Sequence, residues 1–376
     1  MSRLDADRQQ QAGAYARARR RWSRIDFVLT ALLTAVLLLT PLSKTIAGVF
    51  SMAVIPAAVL YFVFLVIFFD LVTLPLSYFR GLKLPRNYGL SRQDFQGWLG
   101  DHVKSLSMGI IFGAVAVATV YGLMIWLPDW WWLGAWVGLM AVTLVLTVLA
   151  PVFIIPLFFK MKPMNEGELK ERLKALAERT GVSVGGIYVI EFAAKTAQAN
   201  AAVMGLGSTK RVAISDTLID QYTPEEIELV MAHELAHQRH NDVWRLYTFQ
   251  GSALLVVFAL TAGFLDFLIP VFDYVNITDP AALPLLLAVF FVAGLPAMPL
   301  LAWFSRRREA AADAYALEVS GDPEVFLSAM TRLTDQNLAE ARPSGFLERL
   351  GQDHPSYEDR VKMAEEFSGS DPNKLK

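Results

Sequence analysis

The chain has no cysteine and only five histidines among its 376 residues. The first absence excludes a disulfide framework, a cysteine zinc cluster and a thiol nucleophile together. Any bound metal must therefore be held by His and carboxylate. The candidates are few: His102, His233, His237, His240 and His354. Charge of one sign is also lacking. A formal net charge of −2 gives no basis for a nucleic-acid partner. Internal repeats and low-complexity tracts are missing as well. What is abundant is apolar: 54% of residues are hydrophobic and the mean hydropathy is positive. That is too apolar for a soluble enzyme, so the lipid bilayer must solvate part of the chain.

A membrane-crossing helix needs about 20 apolar residues. Six stretches qualify, at roughly 27–46, 49–79, 105–127, 131–159, 247–269 and 282–304. The first follows basic residues but no small-residue cleavage site follows it, so it is read as a retained anchor. Lys and Arg set the orientation, because basic loops stay cytoplasmic. Residues 1–26 carry seven Arg, and the loop at 80–104 carries Arg80, Lys83, Arg86, Arg92 and Lys104. The opposite turns hold Lys44 alone, and one contains Trp130, Trp131 and Trp132, as in an interfacial aromatic belt. Both termini and the 160–245 region are thus expected on the cytoplasmic side. The fold class predicted is mainly α and polytopic. Four transmembrane helices fill 27–159, a small α/β unit 160–245, a transmembrane hairpin 246–304, and a helical segment 305–376.

Within 160–245, residues 166–180 read as a charged helix ended by Gly181, followed by β-prone runs at 186–191, 197–204 and 210–215. Thr223-Pro224-Glu225-Glu226 is a helix start with a capping Thr, Pro in the first turn and a Glu that closes the box. The helix it opens contains His233-Glu234-Leu235-Ala236-His237, an H-E-x-x-H pattern. Residues four apart share a helix face, so both imidazoles can reach one ion while Glu234 faces the water that ion holds. One Zn2+ per chain is the expected cofactor. Catalytic zinc needs a third ligand and an open position. A nearby third His in the metzincin spacing would fall at position 243, which is Val. Glu309, just past the sixth span in Ser305-Arg306-Arg307-Arg308-Glu309, is the best carboxylate candidate. Asp313, four residues on, shares its face and is placed to orient a ligand imidazole. His240 is read as a solvated polar residue. Asp242 is given no direct role. Asp70, late in an apolar stretch, is either an intramembrane functional acid or an interfacial one.

These motifs together resemble the type 1 CAAX prenyl proteases, integral-membrane zinc metallopeptidases of gluzincin type. Besides H-E-x-x-H and Glu309-x-x-x-Asp313, the resemblance rests on Asn200-Ala201, Gly205, Lys210-Arg211 and Asp216-Thr217-Leu218. It extends to Tyr88-Gly89-Leu90-Ser91 with Trp98, Asp101 and Lys104, and to His354-Pro355, running from about residue 80 to 365. It implies that Asn200 and His354 contact the substrate backbone and the developing oxyanion. The run containing Asn200 and Ala201 would pair with an extended peptide. It also implies seven spans enclosing a cavity, where six are counted here, and a prenylated C-terminal peptide as substrate.

Two other readings stay open. A bacterial quality-control protease of the same clan, acting on damaged membrane proteins, would use the same chemistry. A transporter or scaffold with a structural zinc predicts a closed four-ligand site, against the three ligands and adjacent Glu seen here. The expected partners are a peptide or protein substrate, prenylated or membrane-attached, and the bilayer. The expected location is a prokaryotic plasma membrane, or the endoplasmic reticulum membrane if the source is eukaryotic; the tail 372–376 has no dilysine signal.

Overall fold

The computed structural model describes residues 4–207, 210–342 and 354–369. Helices α1 (Ala6–Leu39), α3 (Val54–Tyr78), α4 (Phe95–Trp126) and α5 (Trp131–Leu149) form the first part, with a short α2 (Leu42–Gly48) after the break at Thr40-Pro41. Through single π-turns, α3 runs on to Asn87 and α5 to Phe158. These helices are longer than their apolar runs. From Ala6 on, the basic segment is not a separate tail but the first turns of α1, which at 34 residues spans about 51 Å, well beyond a bilayer core. Likewise the loop expected at 80–104 shrinks to 88–94. Apolarity marks only the lipid-solvated part of a helix, and Arg, Lys and Glu are good helix formers outside it.

The span bundle is packed at one end. Tyr61, Tyr121, Met124, Trp131, Leu265 and Leu283 are buried there, so the central Trp of the expected belt points inward. From Ile67 to Tyr78, from Leu99 to Ala116 and from Trp136 to Leu149 no residue is buried. The helices thus open towards their other end, where the second unit sits.

That unit begins with β1 (Met161–Pro163), a strand too short to read from sequence, and α6 (Glu168–Arg179). Strands β2 (Ile187–Ile190), β3 (Ala201–Met204) and β4 (Arg211–Ser215) complete a sheet of order β1-β2-β4-β3. β4 lies parallel to β2 and antiparallel to β3, with Ala201 opposite Ile214 and Met204 opposite Arg211, so β3 is an edge strand. Helix α7 (Pro224–Arg239) starts at the expected capping box: the Thr223 hydroxyl accepts from Glu226 N–H and the Glu226 carboxylate from Thr223 N–H. It ends at His240, and Asn241 in the left-handed conformation (φ 55°) turns the chain into α8 (Asp242–Val271), the fifth span.

The sixth span is broken. Helices α9 (Leu283–Gly294) and α10 (Ala297–Ser320) meet at a bend of 47° around Pro296, where the missing N–H and the ring interrupt the helix. α10 then continues unbroken past the apolar run, carrying Glu309 and Asp313 to α7. Gly321 (φ 63°) and the Asp322 cap separate it from α11 (Pro323–Gln336), and α12 (Tyr357–Gly369) closes the described chain. The first turns of α1 dock on the end of α11: Gln9 Nε2 donates to Asp335 at 3.0 Å and Arg20 pairs with Glu340 at 2.6 Å. The N-terminal turns, the sheet unit and the last helices therefore share one end of the molecule.

Candidate metal centre

His233 and His237 lie one turn apart on α7, and α10 crosses it so that Glu309 faces both. His233 Nε2 is 3.3 Å from His237 Nε2, 3.3 Å from Glu309 Oε2, and His237 Nε2 is 3.3 Å from Glu309 Oε1. For metal–ligand bonds of about 2.0 Å, the edge of a coordination tetrahedron is about 3.3 Å. The two imidazole nitrogens and the Glu309 carboxylate, which meets each ring through a different oxygen, converge at about that spacing, and this donor set fits a zinc ion.

Each imidazole is held from behind by an aspartate, and each aspartate by an arginine. His233 Nδ1 is 2.9 Å from Asp313 Oδ1, while Arg360 Nε donates to Asp313 Oδ2 at 2.7 Å. His237 Nδ1 is 3.0 Å from Asp242 Oδ2, while Arg308 Nε is 2.7 Å from Asp242 Oδ1. Both aspartates are almost wholly buried, Asp313 at 0% and Asp242 at 1% exposure, so neither is a surface charge. An aspartate on the far nitrogen fixes the ring and leaves Nε2 for the metal. Asp313 lies behind His233, on the helix face its spacing predicts. Asp242, expected to have no direct role, lies behind His237 in the same way. Its signal was faint, five residues beyond His237, because the left-handed turn at Asn241 is what folds it back.

Burial opposes ionisation throughout the cluster, and the partners decide which groups ionise. Burial opposes a charged His233, but the carboxylates of Asp313 and Glu309 outweigh it and raise its pKa to about 10. Burial would likewise raise Glu309, yet its contacts with His233 and His354 hold it well below the usual carboxylate range. Glu234 goes the other way. Burial raises its pKa despite the two nearby imidazoles, and its carboxylate is hydrogen-bonded to the Val203 backbone.

Of the other expected residues, Asn200 and Ala201 lie at the start of β3 and line a cleft of about 360 Å3 that also holds His233, Glu234, Glu309 and His354. His354 contacts Glu309 Oε2 through Nδ1 at 2.7 Å and is 59% exposed on its side chain. His240 is not simply solvated: it is partly buried, edge-on to the Tyr315 ring at 5.6 Å. Asp70 lies outside the centre and pairs with His102 Nε2 at 3.1 Å, beside Trp98.

Residues 163–368 match the model of peptidase family M48, and residues 1–160 that of the CAAX prenyl protease N-terminal domain, described as five membrane helices. An uncharacterized metalloprotease, YhfN of Bacillus subtilis, is 30% identical over 305 residues, 78% of this chain and 70% of that protein. CAAX prenyl protease 1 of Saccharomyces cerevisiae is 28% identical over 318 residues, covering 77% and 68%. The crystal structure of S. mikatae Ste24p shares the fold at a TM-score of 0.86 and 23% identity, over 96% of this chain and 90% of that one.

Proposed function

The chain belongs to peptidase family M48 as an integral-membrane metalloprotease, and on that premise we propose that it is a zinc endopeptidase cutting membrane-attached substrates at the cytoplasmic face. The observation that carries the zinc assignment is the convergence of His233 Nε2 and His237 Nε2, 3.3 Å apart, on Glu309, which lies 3.3 Å from each through a different carboxylate oxygen. His233, His237 and Glu309 hold the ion, which when bound supplies Lewis-acid polarisation of water and the scissile carbonyl. Glu234 takes the proton of the attacking water and delivers it to the leaving amine. Its burial, which raises its proton affinity, suits it to carry that proton between the two steps. Asn200 and His354 face the substrate backbone and the developing oxyanion from the cleft wall. Asp313 and Asp242 orient the ligands. The peptide lies along the open edge of β3.

The substrate we assign is a prenylated C-terminal peptide. Support comes from the CAAX prenyl protease relatives and from the bundle, whose helices open towards the metal and leave apolar walls facing that end. The cytoplasmic placement rests on Lys and Arg, since α1 and the 80–104 region bring their basic residues to the metal end. A prokaryotic plasma membrane is the location proposed.

The test compares a farnesylated C-terminal peptide, the same peptide without lipid, and an unfolded membrane protein as substrates of the purified, zinc-quantified protein. Preferential cleavage of the farnesylated peptide is expected. Cleavage of the unlipidated protein alone would replace this substrate with a quality-control role.

A further inference from the structure

Helices α8 and α10 carry the two groups behind His237, Asp242 on the first and Arg308 on the second. Arg308 Nε lies 2.7 Å from Asp242 Oδ1 and, further into the hairpin, the rings of Phe249 and Phe304 stack at 4.2 Å and 9°. The helices are therefore antiparallel, with Asp242 level with Arg308. Arg245 is three residues past Asp242 and Arg307 one before Arg308, so the two arginines differ by about 3 Å in height along the hairpin.

They also share a side. Along α8, Arg245, Thr248, Ser252 and Val256 recur at helical spacing and are all exposed, and along α10 Leu300, Trp303 and Arg307 are too. α10 turns a different side, with Glu309 and Asp313, to α7. The right-handed winding of an antiparallel pair at this register puts the Arg245 row beside the Arg307 row, facing away from α7. Trp244 and Trp303, 46% and 44% exposed, mark this level as headgroup depth, where Trp concentrates. The Arg307 guanidinium lies over the Trp303 ring at 4.5 Å. Among the described residues neither Arg245 nor Arg307 pairs with a carboxylate, unlike Arg308, whose acid is the buried Asp242.

We propose that Arg245 and Arg307 bind the phosphate of an anionic phospholipid across the outer face of the α8–α10 hairpin, and that lipid held there steadies the metal centre through Arg308 and Asp242. Two guanidinium groups at headgroup depth are complementary to one phosphodiester. Each offers paired N–H donors to phosphate oxygens, and the Trp303 face holds the Arg307 plane in place. A choline headgroup would bring a further cation to the pair, whereas a glycerol headgroup brings none. The acyl chains run down past Leu300 and Val256. One phosphate bridging both helices fixes their spacing at the turn where Arg308 meets Asp242, and through Asp242 the orientation of His237. The link to His237 rests on the zinc reading above; the lipid site does not.

Native mass spectrometry of the full chain in detergent, titrated with phosphatidylglycerol, phosphatidylcholine or glycerol phosphate, tests the site. Phosphatidylglycerol should bind about ten-fold or more tighter than phosphatidylcholine, and Arg245→Gln with Arg307→Gln should lower its affinity about ten- to thirty-fold, the size of two interfacial cations. Lys83→Gln with Arg86→Gln removes the same charge from the far end of α3 and should change it by less than about two-fold. Equal binding of the two lipids by the wild type, or an equal loss in the Lys83 and Arg86 variant, would overturn the site. So would glycerol phosphate binding as tightly as phosphatidylglycerol, which would mark a soluble anion as the ligand. Should the double variant not fold, Arg307→Gln alone reads part of the same loss. By linkage, zinc and phosphatidylglycerol should raise each other's affinity by one common factor, about two- to ten-fold, in the wild type and not in the Arg245 and Arg307 variant. Lipid binding indifferent to zinc in a protein that binds zinc would overturn the link to His237. A protein that binds the lipid but no zinc would overturn the zinc reading and leave the lipid site standing.

Discussion

Asp242→Asn is the perturbation that best separates the two histidine supports from mere packing. In the wild type, Asp242 Oδ2 lies 3.0 Å from His237 Nδ1 and Oδ1 lies 2.7 Å from Arg308 Nε, at 1% exposure. Asparagine keeps the shape and an oxygen for Arg308, so the fold loses less than it would with a truncated side chain. What disappears is the negative charge that keeps Nε2 of His237 basic and aimed. Partners of this kind are worth about 10–100-fold in metal affinity, or about 1.4–2.7 kcal/mol. Zinc affinity measured by competition with a chromogenic chelator should fall by that amount, and kcat/KM at saturating zinc should fall as well. Asp313→Asn, by the same reasoning at His233, should behave alike. Wild-type zinc affinity in Asp242→Asn would refute the reasoning, because His237 would then need no buried carboxylate.

Two further outcomes follow from other parts of the structure. Thr223→Ala removes the side-chain acceptor at the start of α7 and should destabilise the helix that carries both histidines by about 1 kcal/mol, seen as a lower Tm with unchanged zinc stoichiometry. In metal-free protein, a His233 pKa raised to about 10 contributes stability that is fully present below its unfolded value of about 6.5 and is lost as pH rises through about 10. Zinc replaces that proton, so the gain in Tm on adding zinc should grow between about pH 6.5 and 9; a gain that shrinks over this range would contradict the assignment.

The residues legible in the sequence are those whose relation is local. His233, Glu234 and His237 are fixed by the helical period, and the Thr223 box that predicted the helix is the one observed. Glu309 and Asp313 are four apart on α10 for the same reason. The rest depends on chain reversal or distance. Asp242 reaches His237 only because Asn241 adopts a left-handed turn, and Arg360 reaches Asp313 from 47 residues away. For the spans, hydropathy located every apolar run but not the helix ends, since the turns around Arg20 and Arg86 are helical without being apolar. It also missed the bend at Pro296, because the run 282–304 stays apolar across it.

The central claim, hydrolysis at a zinc site with Glu234 as the proton carrier, is tested most directly by one comparison. Zinc content and peptide hydrolysis are measured side by side for the wild type and Glu234→Gln. The account predicts one zinc in each, with the rate in Glu234→Gln lower by about 10²–10⁴-fold, the range for losing a general acid–base group. A Glu234→Gln protein that keeps its zinc and cleaves at the wild-type rate would contradict it.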